Sequence, residues 1–436
     1  MHRPSKSGGA SSKLFVIGLP LLIGLVGHGH GAALAAAWIV GPDDPWCDTI
    51  NSAAPGDEVI FTPGFYTRPC WITAQGEPGL PIVIRPESDD EKLRAVFAYP
   101  GSTSNVLDLA NAAHLVLRGF SFAPTQPNVD AMKIRTARDI VIERSHFRGI
   151  GGISISANSG DSARITVRQN VFEDLASTAL YFGCHNGADC HASDLVIEGN
   201  FIRGVLPGDG VGYGLQIKLN SHGLVRDNTI YGTRGPGIMV YGSNRGDPPS
   251  VVEGNYVEGS LEEAGINVGG GPAIVRNNVL VGNAYAGVFA QNYAGRDLQA
   301  NVWIVHNTAL DNAVAGIVVQ AWREGRGNVL AFNALVPRPG TPAIFPEAPP
   351  GIIPGNVTCE PNDPCFVAAT EPPYYLWPAA GGLLVGAAGG GPEEWRPADD
   401  FMGAVRGAAA DVGAFQRTGE GDGPPVGGGE PRPLRE

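Results

Sequence analysis

The chain has 436 residues with only 17% charged, 62 glycines, and 43 acidic against 30 basic side chains, for a net charge of −13. So acidic a balance argues against general binding to nucleic acid or to an anionic membrane surface. The usual prior of roughly 150 residues per domain suggests about three domains. Abundant glycine and few charges suit instead a single core that grows by adding short, tightly turned units.

Residues 1–37 have the layout of a secretory signal. Arg3, Lys6 and Lys13 precede an apolar run from Leu14 to Val26, and small residues then offer cleavage at Ala33-Leu34-Ala35 or Ala35-Ala36-Ala37. The run is short for a span of ~20 residues and contains Pro20. The expectation is export to a secreted, periplasmic or cell-surface location, with no membrane span after removal of the signal. Six cysteines fall into local pairs, Cys47 with Cys70, Cys184 with Cys190 and Cys359 with Cys365. In an exported chain that pattern reads as three disulfides. A zinc site using His185 and His191 beside Cys184 and Cys190 is the competing reading, although the spacing is not a usual zinc frame.

Residues 38–110 read as an amino-terminal cap with the first coils of a stack. Ala53, Gly56, Asp57, Val59, Pro63, Gly64 and Tyr66 are followed by Gly76, Pro81, Ile82, Ile84 and Arg85. This text resembles the opening of the chondroitinase-B-like and pectate-lyase-like families, which are right-handed β-helices. The resemblance implies the architecture. It is much less specific for activity, because binding and structural proteins share such openings.

Residues 111–345 carry the repeat. An asparagine before apolar or small residues recurs at Asn170, Asn200, Asn228, Asn255, Asn278, Asn307 and Asn333, in steps of 30, 28, 27, 23, 29 and 26 residues. Gly119 and Ser145 hold the same phase without the amide. Each unit alternates Val, Ile or Phe with polar residues and is broken by Gly, Asn or Asp, which is strand and turn rather than helix. The predicted fold is all-β: a single-stranded right-handed parallel β-helix with an internal asparagine ladder and capped ends. The amides would bond to the coils above and below.

A second phased set marks one sheet, running AMKIR, GISIS, ALYFG, GLQIK, GIMVY, GINVG, GVFAQ and GIVVQ. Second and fourth residues point inward, so third and fifth residues form two outward columns. The third positions are Lys133, Ser154, Tyr181, Gln216, Met239, Asn267, Phe289 and Val318. The fifth are Arg135, Ser156, Gly183, Lys218, Tyr241, Gly269, Gln291 and Gln320. Loops leaving this face carry His185, His222, Asn244, Arg245, Tyr293, Arg296, Trp322 and Arg323. Aromatics, amides and cations in rows suit a linear glycan, acidic or neutral. The bland alternative is an ordinary solvated face. The expected substrate-binding set is Lys133, Arg135, Tyr181, His185, Gln216, Arg245, Asn267, Gln291, Gln320 and Trp322, in a monomer.

For chemistry the expected pair is Lys218 and Tyr241, adjacent in one column. Lysine with a lowered pKa could take the C5 proton of a uronate while tyrosine protonates the leaving oxygen, or the roles could be exchanged. The chondroitinase-B-like lyases are similar here, with a Lys ending such a strand and an Arg ending the next. Lys218 matches the Lys, and Tyr241 stands in place of the Arg. Neither column contains Asp or Glu, which argues against a glycoside hydrolase with two facing carboxylates. A C5-epimerase and a non-catalytic glycan binder stay open. No cofactor is identified; Ca²⁺ could assist, but no ligand set is visible.

Residues 346–416 turn rich in Pro and Gly and read as a carboxyl-terminal cap. Asp400, Gly403, Arg406, Asp411, Gly413, Ala414 and Phe415 resemble an ending found in many β-helix glycan enzymes. Residues 417–436 have the composition of a disordered tail.

Overall fold

Alternating apolar residues over two to seven positions give strands too short to be stable alone, so each must stack on the next. The computed structural model describes residues 35–418 and Val426, apart from 89, 91–93, 99–100, 102–104, 188, 352, 361–362, 364 and 370–372. The expected signal at 1–37 therefore lies almost wholly outside the described residues, as does most of the expected tail at 417–436. The described chain winds into a right-handed parallel β-solenoid whose coils feed three parallel sheets of 13, 11 and 12 strands. Inward Val, Ile, Leu and Phe from all three sheets fill one continuous core.

The asparagines perform the role expected of them. From Asn170 through Asn333 to Asn356, each Nδ2 donates to the Oδ1 of the next coil's asparagine at 2.8–3.1 Å. The same Oδ1 accepts from the preceding asparagine's backbone N–H, at 3.0 Å for Asn200 to Asn228. Ser145 continues the series: its N–H donates to Asn170 Oδ1 at 3.0 Å, and its hydroxyl accepts from Phe120 N at 3.2 Å. A second, shorter ladder that the repeat did not reveal joins Thr233, Ser260, Asn283 and Asn312 at another corner.

Both terminal motifs are structural. Asp57 accepts from the N–H groups of Ala36 and Ala54 and from Trp38 Nε1, which seats the first strand, Ala37–Val40. The helix Trp46–Ser52 lies along the first strand of the 11-stranded sheet, Cys70–Ile72. Asn51 bonds to the backbone on both sides of Ile72, through Trp71 O at 2.9 Å and Thr73 N at 2.7 Å, and Cys47 is joined to Cys70. An exposed strand edge is thus covered. The other disulfides are Cys184–Cys190 and Cys359–Cys365. At the far end, Arg406 donates to Asp411 O, Gly413 O and Asn277 Oδ1. Asp400 accepts from the N–H groups of Met402, Ala404 and Gln416. Ala414 N bonds to Thr308 Oγ1 and Gly413 N to Phe332 O, so this segment runs along the outer wall of several coils.

One part of the column alignment needs correction. Lys133 pairs with Ser156, and Ser156 with Tyr181, so Ser156 belongs to the third-position column and not to the fifth. A slip of two residues keeps every side chain on its own face, and the alternation could not distinguish the two registers. The third-position column also extends to Asp108, which pairs with Lys133, so it does contain a carboxylate.

The ladder can be tested at its centre. Asn228 donates to Ile197 O, Arg226 O and Asn255 Oδ1 and accepts twice from Asn200. Asn228→Ala is expected to lower stability by ~3 kcal/mol or more, since each buried group left unpaired costs ~1–3 kcal/mol. Urea titration followed by circular dichroism should show an earlier transition, whereas an unchanged midpoint would contradict the role given to the amide.

Candidate active site

The site grows from two consecutive strands of the 11-stranded sheet, Leu215–Ile217 and Ile238–Val240. Leu215 and Ile217 face the core, as do Ile238 and Val240, which leaves Gln216, Lys218, Met239 and Tyr241 on the outside of the coil. After Lys218 the chain turns at once: Ser221 N bonds back to Lys218 O, and Asn220 N bonds to Gly242 O. The backbone at Lys218 is thereby fixed between neighbouring coils, its own N–H donating to Phe182 O.

Outward does not mean solvated here. Lys218 is 3% exposed and Tyr241 2%. The Lys218 ammonium sits 3.8 Å from the centre of the Tyr241 ring and 5.2 Å from that of Tyr181. Gln216 Oε1 accepts from Lys218 Nζ at 3.4 Å and from the Tyr241 hydroxyl at 3.3 Å. The cover comes from another coil. Tyr293, on the turn Tyr293–Gly295, packs edge-on against Tyr241 with ring centres 4.7 Å apart. It reaches that far because the intervening rung is Gly269, where a Cβ would stand 3.0 Å from Tyr293 Cβ and 3.1 Å from Met239 Cε. Tyr213 and Leu298 complete the packing.

Burial sets the protonation states. Removal from water, then the charge of Arg296, bring the Lys218 pKa down to about 8. Burial, followed by the hydroxyls of Tyr213 and Tyr293, raises Tyr241 far above an ordinary phenol. Tyr181 is pushed up to about 12, again mainly by burial. Near neutrality the site therefore holds a lysine close to losing its proton beside a tyrosine that firmly keeps its own.

The rest of the expected set divides. Tyr181 and Gln216 join the cluster. Asn267, two rungs beyond Gln216, is buried; its Nδ2 donates to Glu263 Oε2 at 3.4 Å, and its Oδ1 has no partner among the described residues. Gln291 and Gln320 continue the other column, half-buried and exposed. Lys133 and Arg135 lie three or more rungs away and face acids: Lys133 Nζ is 3.7 Å from Asp130, and Arg135 Nε is 2.6 Å from Asp108 and over the Trp71 ring. His185 is exposed on the Cys184–Cys190 loop, and Arg245 contacts His191. Trp322 is not on the groove face. It packs into the core with its Nε1 on Gln299 Oε1, because the chain after Gln320 folds inward.

Tyr213 and Glu263 are additions that no column contained, since they precede their strands. Tyr293 and Arg296 were visible only as loop residues. Among the described residues no group of three His, Cys, Asp or Glu is placed to hold a metal ion.

The family description "right handed beta helix region" matches residues 130–296 and 211–336. A lacto-N-biosidase of glycoside hydrolase family 136 from Eubacterium ramulus superposes with a TM-score of 0.54 at 11% identity, over 74% of this chain and 67% of that one. An alginate lyase from Paenibacillus sp. gives 0.46 at 15%, over 73% and 97%. The A-module of a mannuronan C-5 epimerase from Azotobacter vinelandii gives 0.45 at 16%, over 66% and 82%. At 11% identity the likeness to the lacto-N-biosidase is one of fold alone. No curated protein sequence matches the chain.

The lowered pKa of Lys218 carries a stability consequence. Below about 8 the folded protein must hold a charge that burial disfavours, while the unfolded chain keeps the ordinary 10.5. The cost is full below the folded pKa and disappears as pH rises past the unfolded one. Lys218→Met is expected to raise the thermal transition in acid and neutral buffer, with the gain shrinking from about pH 8 upward. A variant that is less stable than the parent at every pH would refute the desolvation.

Proposed function

We propose that the protein is an exported enzyme that cleaves a uronic-acid-containing polysaccharide by β-elimination. The observation that carries this reading is the desolvated Lys218 amine lying against the protonated Tyr241 on the outer face of a β-helix sheet. Three disulfides support an oxidising compartment. No helix among the described residues is long and apolar enough to cross a membrane.

Neutral Lys218 takes the C5 proton of the sugar. The C5–H electron pair becomes the C4–C5 double bond, and the bond from C4 to the bridging oxygen breaks. The Tyr241 hydroxyl supplies the proton to that leaving oxygen. Its reluctance to ionise is offset as the step proceeds, because the ammonium forming on Lys218 sits 3.8 Å from the ring that gains negative charge. Proton exchange with water then restores both groups. Gln216 positions both side chains through one oxygen, while half-buried Tyr181, Tyr213 and Tyr293 offer ring surface to a pyranose. Gln291 and Gln320 are proposed to extend the binding face.

A carboxylate pair for glycoside hydrolysis is less well supported. Glu263 touches Asn267, whereas Asp108 and Asp130 engage Arg135 and Lys133 several rungs away.

The test is a screen against alginate, pectate and chondroitin, following the ultraviolet absorbance of the unsaturated product. Turnover is expected, with kcat/KM rising along a single limb centred near pH 8. Lys218→Ala and Tyr241→Phe should each lower kcat by about 10²–10⁴ while the protein stays folded. Product that forms undiminished in either variant would remove the site assignment. A flat signal with unchanged reducing ends would replace the lyase by a glycan binder or an epimerase, and exchange of the C5 proton would separate those two.

A further inference from the structure

β-Elimination next to a carboxylate requires that the carboxylate be neutralised, since otherwise the carbanion at C5 is too high in energy. We propose that Arg296 is the residue that binds and neutralises the uronate carboxylate at this site, which makes the acidic group of the sugar beside Lys218 a condition for recognition. The inference rests on Lys218 and Tyr241 forming the reaction centre.

Arg296 reaches the site by the route that brings Tyr293 there. The turn Tyr293–Gly295 leaves its own coil, passes over the bare rung at Gly269 and lays Tyr293 on Tyr241. The Arg296 guanidinium follows, 5.2 Å from the Tyr293 ring centre. Its Nη1 is shielded from water and has no hydrogen-bond partner among the described residues. That is an unusual state for an arginine, whose buried donors are normally satisfied. The adjacent carboxylate does not meet the need, because Asp297 is engaged by Arg323 at 3.1 Å and Arg326 at 2.7 Å. A planar fork with a free, dry donor is suited to a carboxylate.

The surroundings agree. Arg296 is near enough for its charge to disfavour the proton on Lys218. The other groups facing the pair are the hydroxyls of Tyr181, Tyr213, Tyr241 and Tyr293, and Glu263, which acts on Tyr213 and touches Asn267. Arg296 thus puts a cation beside Lys218 in a chain whose net charge is −13. The overall acidity would repel an acidic polymer at a distance, and the Arg296 guanidinium opposes that repulsion beside Lys218.

The experiment compares the wild-type protein with Arg296→Gln and Arg296→Lys. Tetragalacturonate and tetramannuronate, each as the free acid and as the methyl ester, are titrated calorimetrically into all three. Wild type should bind one of the acids at least tenfold tighter than its ester. Arg296→Gln should bind acid and ester alike, and Arg296→Lys should recover part of the preference. Without ligand, the midpoint of Lys218 acylation against pH should move upward in Arg296→Gln and stay near the wild-type value in Arg296→Lys, which keeps the charge, whereas loosened packing alone would raise it in both. Persistence of the acid preference in Arg296→Gln, or failure of wild type to bind any of the four ligands, would overturn the proposal. An acid preference lost in Arg296→Gln, from a wild type that forms no unsaturated product, would keep Arg296 as the carboxylate site and remove the lyase. Undiminished turnover and preference in Arg296→Gln would do the reverse.

Discussion

An amide enclosed in a protein must find hydrogen-bond partners, and in this chain that requirement is met once per coil at the same corner. Each ladder asparagine serves its own coil and the next, so no coil can rotate or slip without leaving donors and acceptors unpaired on both sides. Strands of two to seven residues could not hold register by themselves. With the corners pinned, the outward columns of the 11-stranded sheet become fixed rows at a spacing of about 4.8 Å. The chemistry of the site depends on that regularity, since Lys218 and Tyr241 are 23 residues apart in sequence and adjacent only because their coils are in step.

Against this background the irregular features stand out. Glycine follows Tyr241 on the next rung and precedes Lys218 on the one before, at Gly269 and Gly183. The missing side chain at Gly269 lets a distant turn lie across the column. A buried lysine destabilises the fold near neutral pH, and the nearby guanidinium with an unsatisfied donor adds to that cost. Natural proteins retain such costs mainly at functional sites, where ligand completes what the protein leaves unpaired. The ends of the chain behave oppositely. Asp57, Asp400, Arg406 and Asp411 look like conspicuous chemistry in the sequence, yet they bond to backbone and seat terminal segments. The terminal resemblances therefore identify how the solenoid is closed and carry no information about its function.

The sequence by itself determined the solenoid, its asparagine corner and the pairing of cysteines, because those depend on short-range pattern: a turn residue at constant phase, strict alternation, and thiols close together in the chain. It also placed Lys218, Tyr241, Tyr181 and Gln216 on one face, since alternation and a constant repeat suffice for neighbours in adjacent coils. Tertiary structure alone decided the rest. Alternation is blind to slips of two, so Ser156 was assigned to the wrong column, and Asp108 lay outside the set. Alternation also separates inward from outward but not covered from solvated, and it could not show that the Lys218 face is dry. Loops have no period, which is why the cover by Tyr213 and Tyr293, the free donor of Arg296 and the inward turn of Trp322 emerged only once the coils were stacked.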